Sequence, residues 1–160
     1  SDVPHGLTTY SIGSLWASGP DDVWAASNAS AGVLLHKDGS GWSEVTGVTV
    51  LQISSIWGSG PDDIYLTTAE GTRYHWDSDD WSTAFTTPGL SQARVWGFGA
   101  DDVFLTASGG EIYHYDGVDW SVVRSYTTST QTGIWGIPGE NVFFVGYSGT
   151  FGKLRYATPF

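Results

Sequence analysis

A unit of about 40 residues recurs four times in this 160-residue chain. Its clearest copy, GSGPDDIYLTTAEGTRYHWDSDDWS at residues 58–82, aligns with ASGPDDVWAASNASAGVLLHKDGSGWS upstream and GFGADDVFLTASGGEIYHYDGVDWS downstream. A Trp after an apolar residue heads each unit, at Trp16, Trp57, Trp96 and Trp135, spaced 41, 39 and 39. An acidic pair follows at Asp21-Asp22, Asp62-Asp63 and Asp101-Asp102, weakened to Glu140-Asn141 in the fourth copy. His36, His75 and His114 come next, with Arg155 read as the fourth member of their column, and Trp42, Trp81 and Trp120 close the unit. Self-similarity at this period restricts the fold to a solenoid, a propeller or another repeat array.

Strand signals decide among these. In the second copy SSIWGSG, DIYLTTA, TRYHWD and WSTAFTT read as four short strands separated by GPDD, EG and the turn built on DSDD. Nothing has a 3.6-residue rhythm, which excludes helical solenoids. Runs such as DVFLTA and ENVFFVG lack polar alternation, as expected of strands sandwiched between neighbouring sheets. Four antiparallel strands per unit make a propeller blade. The expected fold is all-β: a four-bladed β-propeller in one domain, residues 1–160, with repeats starting near 14, 55, 94 and 133.

The ends of the chain complement one another. Each closing Trp lies 15 residues before the next opening Trp, and counting 15 back from Trp16 lands on Ser1. The fourth copy reaches Phe160 without a closing Trp. Residues 1–13 are therefore expected to complete the fourth blade, about 3–10 as its outermost strand, closing the ring as a monomer and removing exposed edges. The same strand exchange between two chains would make an eight-bladed dimer instead.

The repeat resembles the short bacterial β-propeller repeats allied to the Asp-box (BNR-like) propellers, through the pattern apolar-W-G-x-G-P-D-D-apolar-aromatic followed by H-x-D-G-x-x-W-S. In KDGSGW and YDGVDW the turn is one residue tighter than an Asp box, and DSDDW places Ser78 where the others have Gly. The resemblance spans the whole chain. It implies a lectin-like module of a secreted or surface-attached bacterial protein; fold alone leaves the activity open.

Charge narrows the partners. Six cations face 17 acids, for a net charge of −11, which repels phosphate backbones and anionic lipid, so neither nucleic acid nor membrane insertion is expected. There is no cysteine for a disulfide or a nucleophile, and no apolar run of membrane-spanning length. Neither a nucleophile elbow nor a phosphate loop is present, so no enzyme activity and no cofactor are expected.

Alternating strand direction puts the first-to-second and third-to-fourth turns on one face. Those turns carry thirteen of the 17 acids: Asp21, Asp22, Asp38, Asp62, Asp63, Asp77, Asp79, Asp80, Asp101, Asp102, Asp116, Asp119 and Glu140. The acidic pairs read as turn caps rather than a calcium site, because adjacent strand residues point to opposite faces. Histidines in separate blades cannot converge on one metal, and each is expected to hydrogen-bond a turn in its own or a neighbouring blade. No metal is expected.

On the opposite face the loops differ from copy to copy: SNASAG, AEG, SGG, then GYSGTFG. Invariant turns hold a scaffold and differing loops can carry specificity. The residues there without a counterpart in every copy are Tyr10, Gln92, Arg94, Tyr126 and Tyr147. Tyrosines suit the apolar faces of sugar rings, and Arg94 and Gln92 suit ring oxygens and hydroxyls, so a glycan or other small polar ligand is expected there. The competing reading is a protein-interaction or display domain that offers its acidic face to a basic partner.

Overall fold

A computed structural model of the chain describes residues 11–30, 32–46, 48, 52–86, 91, 93–125, 128–138 and 140–155. The chain is all-β and forms a four-bladed β-propeller. Blade 1 comprises β1 (Ile12–Gly19), β2 (Asp22–Ser27), β3 (Leu34–Asp38) and β4 (Gly41–Glu44); blade 2 comprises β5 (Ile53–Gly60), β6 (Asp63–Thr68), β7 (Thr72–Trp76) and β8 (Trp81–Thr86). Blade 3 comprises β9 (Arg94–Gly99), β10 (Asp102–Thr106), β11 (Glu111–Tyr115) and β12 (Trp120–Ser125). Blade 4 shows β13 (Gln131–Ile137), β14 (Asn141–Gly146) and β15 (Phe151–Arg155). Each sheet is a meander in chain order, with every pair antiparallel. Residues 1–10, assigned by the sequence to the missing outer strand, lie outside the described residues; Ile12 and Gly13 already belong to β1.

Period-2 alternation gives every blade two faces, one towards the preceding blade and one towards the next. Towards the next blade point Trp16 with its partner Trp24, Trp57 with Tyr65, Trp96 with Phe104 and Trp135 with Phe143. Towards the preceding blade point Ile56 and Gly58, Val95 and Gly97, Ile134 and Gly136. The joint between blades is a ring on a glycine. A Cβ added to Gly58 would lie 2.9 Å from Trp16, one on Gly97 2.6 Å from Trp57, and one on Gly136 2.6 Å from Trp96. Glycine is required at these three positions because an indole occupies the place of its side chain. The cores follow the same order: Trp24 and Leu34 pack with Ile56, Ile64 and Leu66; Tyr65 with Val95, Val103 and Leu105; Phe104 and Ile112 with Val142 and Phe144.

The fourth blade corrects one column. Phe143 pairs with Lys153, as Phe104 pairs with His114, so Lys153 fills the histidine place; Arg155 lies opposite Asn141, at the end of the strand. The reason is register: β15 runs without a bulge from Phe151, and the step of 39 residues from His114 ends on Lys153.

Candidate functional site

On the turn face, the acidic and histidine columns prove to be partners. Nε2 of His36, His75 and His114 lies 2.7, 2.6 and 2.8 Å from a carboxylate oxygen of Asp22, Asp63 and Asp102. Each imidazole also stacks on the aromatic of its own blade, 4.1 Å from Trp24, 4.3 Å from Tyr65 and 4.4 Å from Phe104. Ser18 and Ser59 donate to the free oxygens of Asp22 and Asp63, and the Trp24 indole donates to Asp22 at 2.8 Å. The histidines thus bind the turn of their own blade, as expected. The second acid of each pair, however, holds side chains and not the turn backbone. True Asx caps come from Asp38, Asp77 and Asp116, which accept the backbone N–H groups of Ser40, of Asp79 and Asp80, and of Val118 and Asp119.

These contacts set a pH dependence. Burial alone would raise Asp22, but hydrogen bonds from Ser18, His36 and Trp24 and the charge of His36 bring it below the ordinary carboxylate value. The Ser40 hydroxyl and N–H lower Asp38, the N–H groups of Asp80 and Asp79 lower Asp77, and those of Asp119 and Val118 lower Asp116. A carboxylate whose folded value is depressed stabilises the fold above its unfolded value and loses that contribution as pH falls through the folded one. The melting temperature is therefore expected to drop as pH is lowered below about 4. Asp22→Asn should flatten that slope; an unchanged acid limb in thermal scans would refute the assignment.

Between blades 2 and 3 the turn face opens into a cavity of 470 Å³ lined by Tyr65, His75, Ala84, Tyr115, Val118, Asp119 and Trp120. In the first joint Trp24 reaches the Trp76 and Trp81 rings at 6.5 and 6.0 Å, whereas the smaller Tyr65 meets Trp120 edge-on at 6.3 Å. Burial first, then the charges of Asp63, Tyr115 and Asp101, hold the Tyr65 hydroxyl protonated well above its ordinary range. Among the described residues no cluster of three or more His, Asp or Glu side chains could hold a metal.

On the opposite face, Tyr10, Gln92 and Tyr126 lie outside the described residues. The other two predicted residues come together. Arg94, the first residue of β9, donates from Nε to Thr132 O in blade 4 at 3.1 Å, and from Nη1 to Ser54 O in blade 2 at 3.0 Å. Its guanidinium therefore sits where the inner strands converge and ties three blades together. Burial lowers its pKa, and the nearby Tyr147 hydroxyl opposes that shift. Tyr147 begins the enlarged loop of blade 4, is 61% exposed, and is anchored by its N–H to Thr130 O. Among the described residues no carboxylate pairs with Arg94; its partners are carbonyl oxygens. It borders a polar cavity of 260 Å³ lined also by Gly13, Asn28, Gln52, Ile53, Ser54 and Ala69. Sequence reasoning had missed Gln52, which holds φ at 45° with its carbonyl bonded to Ala69 N–H. A non-glycine residue held in that region stores strain of about 1–3 kcal/mol, and such residues gather at ligand sites.

No family model matches the chain, and no curated protein matches it. Solved structures do. YCF48 bound to D1 peptide is 15% identical over 93% of this chain and 52% of its own, with a TM-score of 0.71. The C-terminal WD40 domain of Sif2 is 12% identical over 96% of this chain and 47% of its own, TM-score 0.71. The extracellular domain of the one-component system BT4673 from B. thetaiotaomicron is 15% identical over 94% of this chain and 22% of its own, TM-score 0.72. The chain thus spans about half the length of the first two. At these identities the likeness establishes the propeller fold and nothing finer.

Proposed function

We propose that this propeller is a non-catalytic binding module of a secreted or surface protein, and that it recognises a carboxylate-bearing carbohydrate where its inner strands converge. Arg94 carries this reading: a part-buried guanidinium, fixed by two backbone carbonyls and lacking a carboxylate partner among the described residues, borders a polar cavity. Burying a cation without a counter-ion is costly, and an anionic ligand removes that cost. Tyr147 offers an exposed ring beside it for the apolar face of a sugar. A lectin-like role also agrees with the resemblance of the repeats. The histidines do not suggest catalysis, since each is engaged by an aspartate and an aromatic ring of its own blade.

A glycan array read by calorimetry tests this. Uronic or sialic acid glycans are expected to bind, neutral analogues not, and chelator should change nothing. Arg94→Ala is expected to weaken binding tenfold or more, about 1.4 kcal/mol, and Tyr147→Ala by a similar factor. Arg94→Lys retains the charge and separates recognition from the guanidinium's bonds between blades. Absence of acidic glycans among the hits, or Arg94→Ala binding like wild type, would refute the proposal.

A second reading has its own observation. The cavity between blades 2 and 3 combines Tyr115 and Trp120 rings with the Asp119 carboxylate, which suits the stem and charge of a lysine or arginine from a protein partner. A structurally similar propeller, YCF48, was solved bound to a peptide. Capture of basic peptides that fades with salt and is lost in Trp120→Ala, with no glycan signal, would favour it.

A further inference from the structure

The outward face of blade 4 is built like the faces that other blades cover, yet it is bare. At equivalent positions of the four repeats stand Ala26, Thr67, Thr106 and Val145, and Leu34, Arg73, Ile112 and Phe151. The first three of each set are buried, whereas Val145 is 45% and Phe151 70% exposed. Trp135 is 59% exposed, and with Phe143 and Val145 it lines an apolar cavity of 240 Å³. At the other end, Leu15 is 65% exposed where its counterparts Ile56 and Val95 are buried, and Ile12 is exposed where Ile53 is buried. Packing runs from β1 to β5, from β5 to β9 and from β9 to β13, with no comparable joint between β13 and β1 among the described residues. Between the open face of blade 4 and the open face of blade 1, one joint of the same kind is left unmade among the described residues.

We propose that a second copy of this chain fills it: blade 1 of each copy docks on blade 4 of the other, and the two joints close one eight-bladed ring. The occupant follows from continuity, since the joint required is the one the chain already makes three times. Trp135 and Phe151 alone bring about 150–250 Å² each, and two joints per pair double every contribution. One residue makes these joints weaker than the internal ones. Position 17, equivalent to Gly58, Gly97 and Gly136, is alanine, and it is exposed where those glycines are buried. Its Cβ stands where an indole lies in the internal joints, so Trp135 must settle at a shifted position. The assembly is accordingly separable by dilution, while each chain stays folded.

Sedimentation equilibrium from about 1 to about 100 µM tests this, because mass action makes the population of pairs concentration-dependent. Twice the 17.2 kDa chain mass is expected at the upper end, with Trp emission shifting to the blue as Trp135 becomes buried. Trp135→Asp and Leu15→Glu should each give folded single chains by circular dichroism. Mixing the two should restore association, because one intact blade 4 face then meets one intact blade 1 face. Ala17→Gly should tighten association severalfold. Single-chain mass at every concentration would overturn the proposal, as would an open ladder of larger species, which would show joints that do not close. Failure of glycan binding leaves this result unaffected.

Discussion

Phe104→Ala is expected to destabilise the chain by about 3–5 kcal/mol, the range for removing a large aromatic from a packed core. Phe104 is fully buried, stacks on His114 at 4.4 Å, meets Phe98 edge-on at 6.1 Å and packs against Val142 and Phe144 of the next blade. The substitution therefore empties both the interior of blade 3 and its joint with blade 4. For a domain of this size the melting temperature should fall by about 10 °C. Phe143→Ala provides the control. It occupies the same place in blade 4 without a covering blade, so in dilute protein it should cost far less. Equal losses at the two positions in urea titrations would contradict the account of the joints.

Gly97→Val carries the second large effect. Its Cβ would lie 2.6 Å from the Trp57 ring and 2.7 Å from the carbonyl oxygen of Asp102, so either the indole or β10 must move. Overpacking of this kind costs about 1–3 kcal/mol. Movement of β10 also disturbs the carboxylate that holds His114, so loss of cooperativity should accompany the loss of stability. Gly60→Ala, where a Cβ meets nothing within 4 Å, is expected to stay within about 0.5 kcal/mol of wild type. A Gly97→Val protein as stable as Gly60→Ala would refute the assignment of glycine as the socket for the preceding Trp.

The architecture was legible because each blade states it separately. The strands read from the second repeat match β5 to β8 to within a residue or so, since Gly/Asp turns and β-branched or aromatic runs are local signals. The pairing of Asp22 with His36, and of Asp63 with His75, was not. Those residues are 14 and 12 apart, and only the antiparallel register of two paired strands brings them together. The bonds of Arg94 were not legible either, since its carbonyl partners are 38 and 40 residues away in sequence and carry no side-chain signature. The bare face of blade 4 was illegible for a different reason. Trp135 and Phe143 are the same kinds of residue as Trp96 and Phe104; whether they are covered depends on a neighbour, which residue identity does not report.

The socket glycines bear on how such a chain changes over generations. A blade makes its sheet from its own hairpins, and each internal joint seats a ring of one blade on a glycine of the next within a shared apolar core. An in-frame duplication of one 39-residue unit would therefore deliver a blade that already carries both halves of the joint, and the stability of repeat arrays is approximately a sum of units and nearest-neighbour contacts. Adding or removing a whole unit therefore preserves every joint it leaves behind. Ala17 breaks the symmetry at one position, so a unit added ahead of blade 1 would meet a Cβ where the other joints offer a glycine.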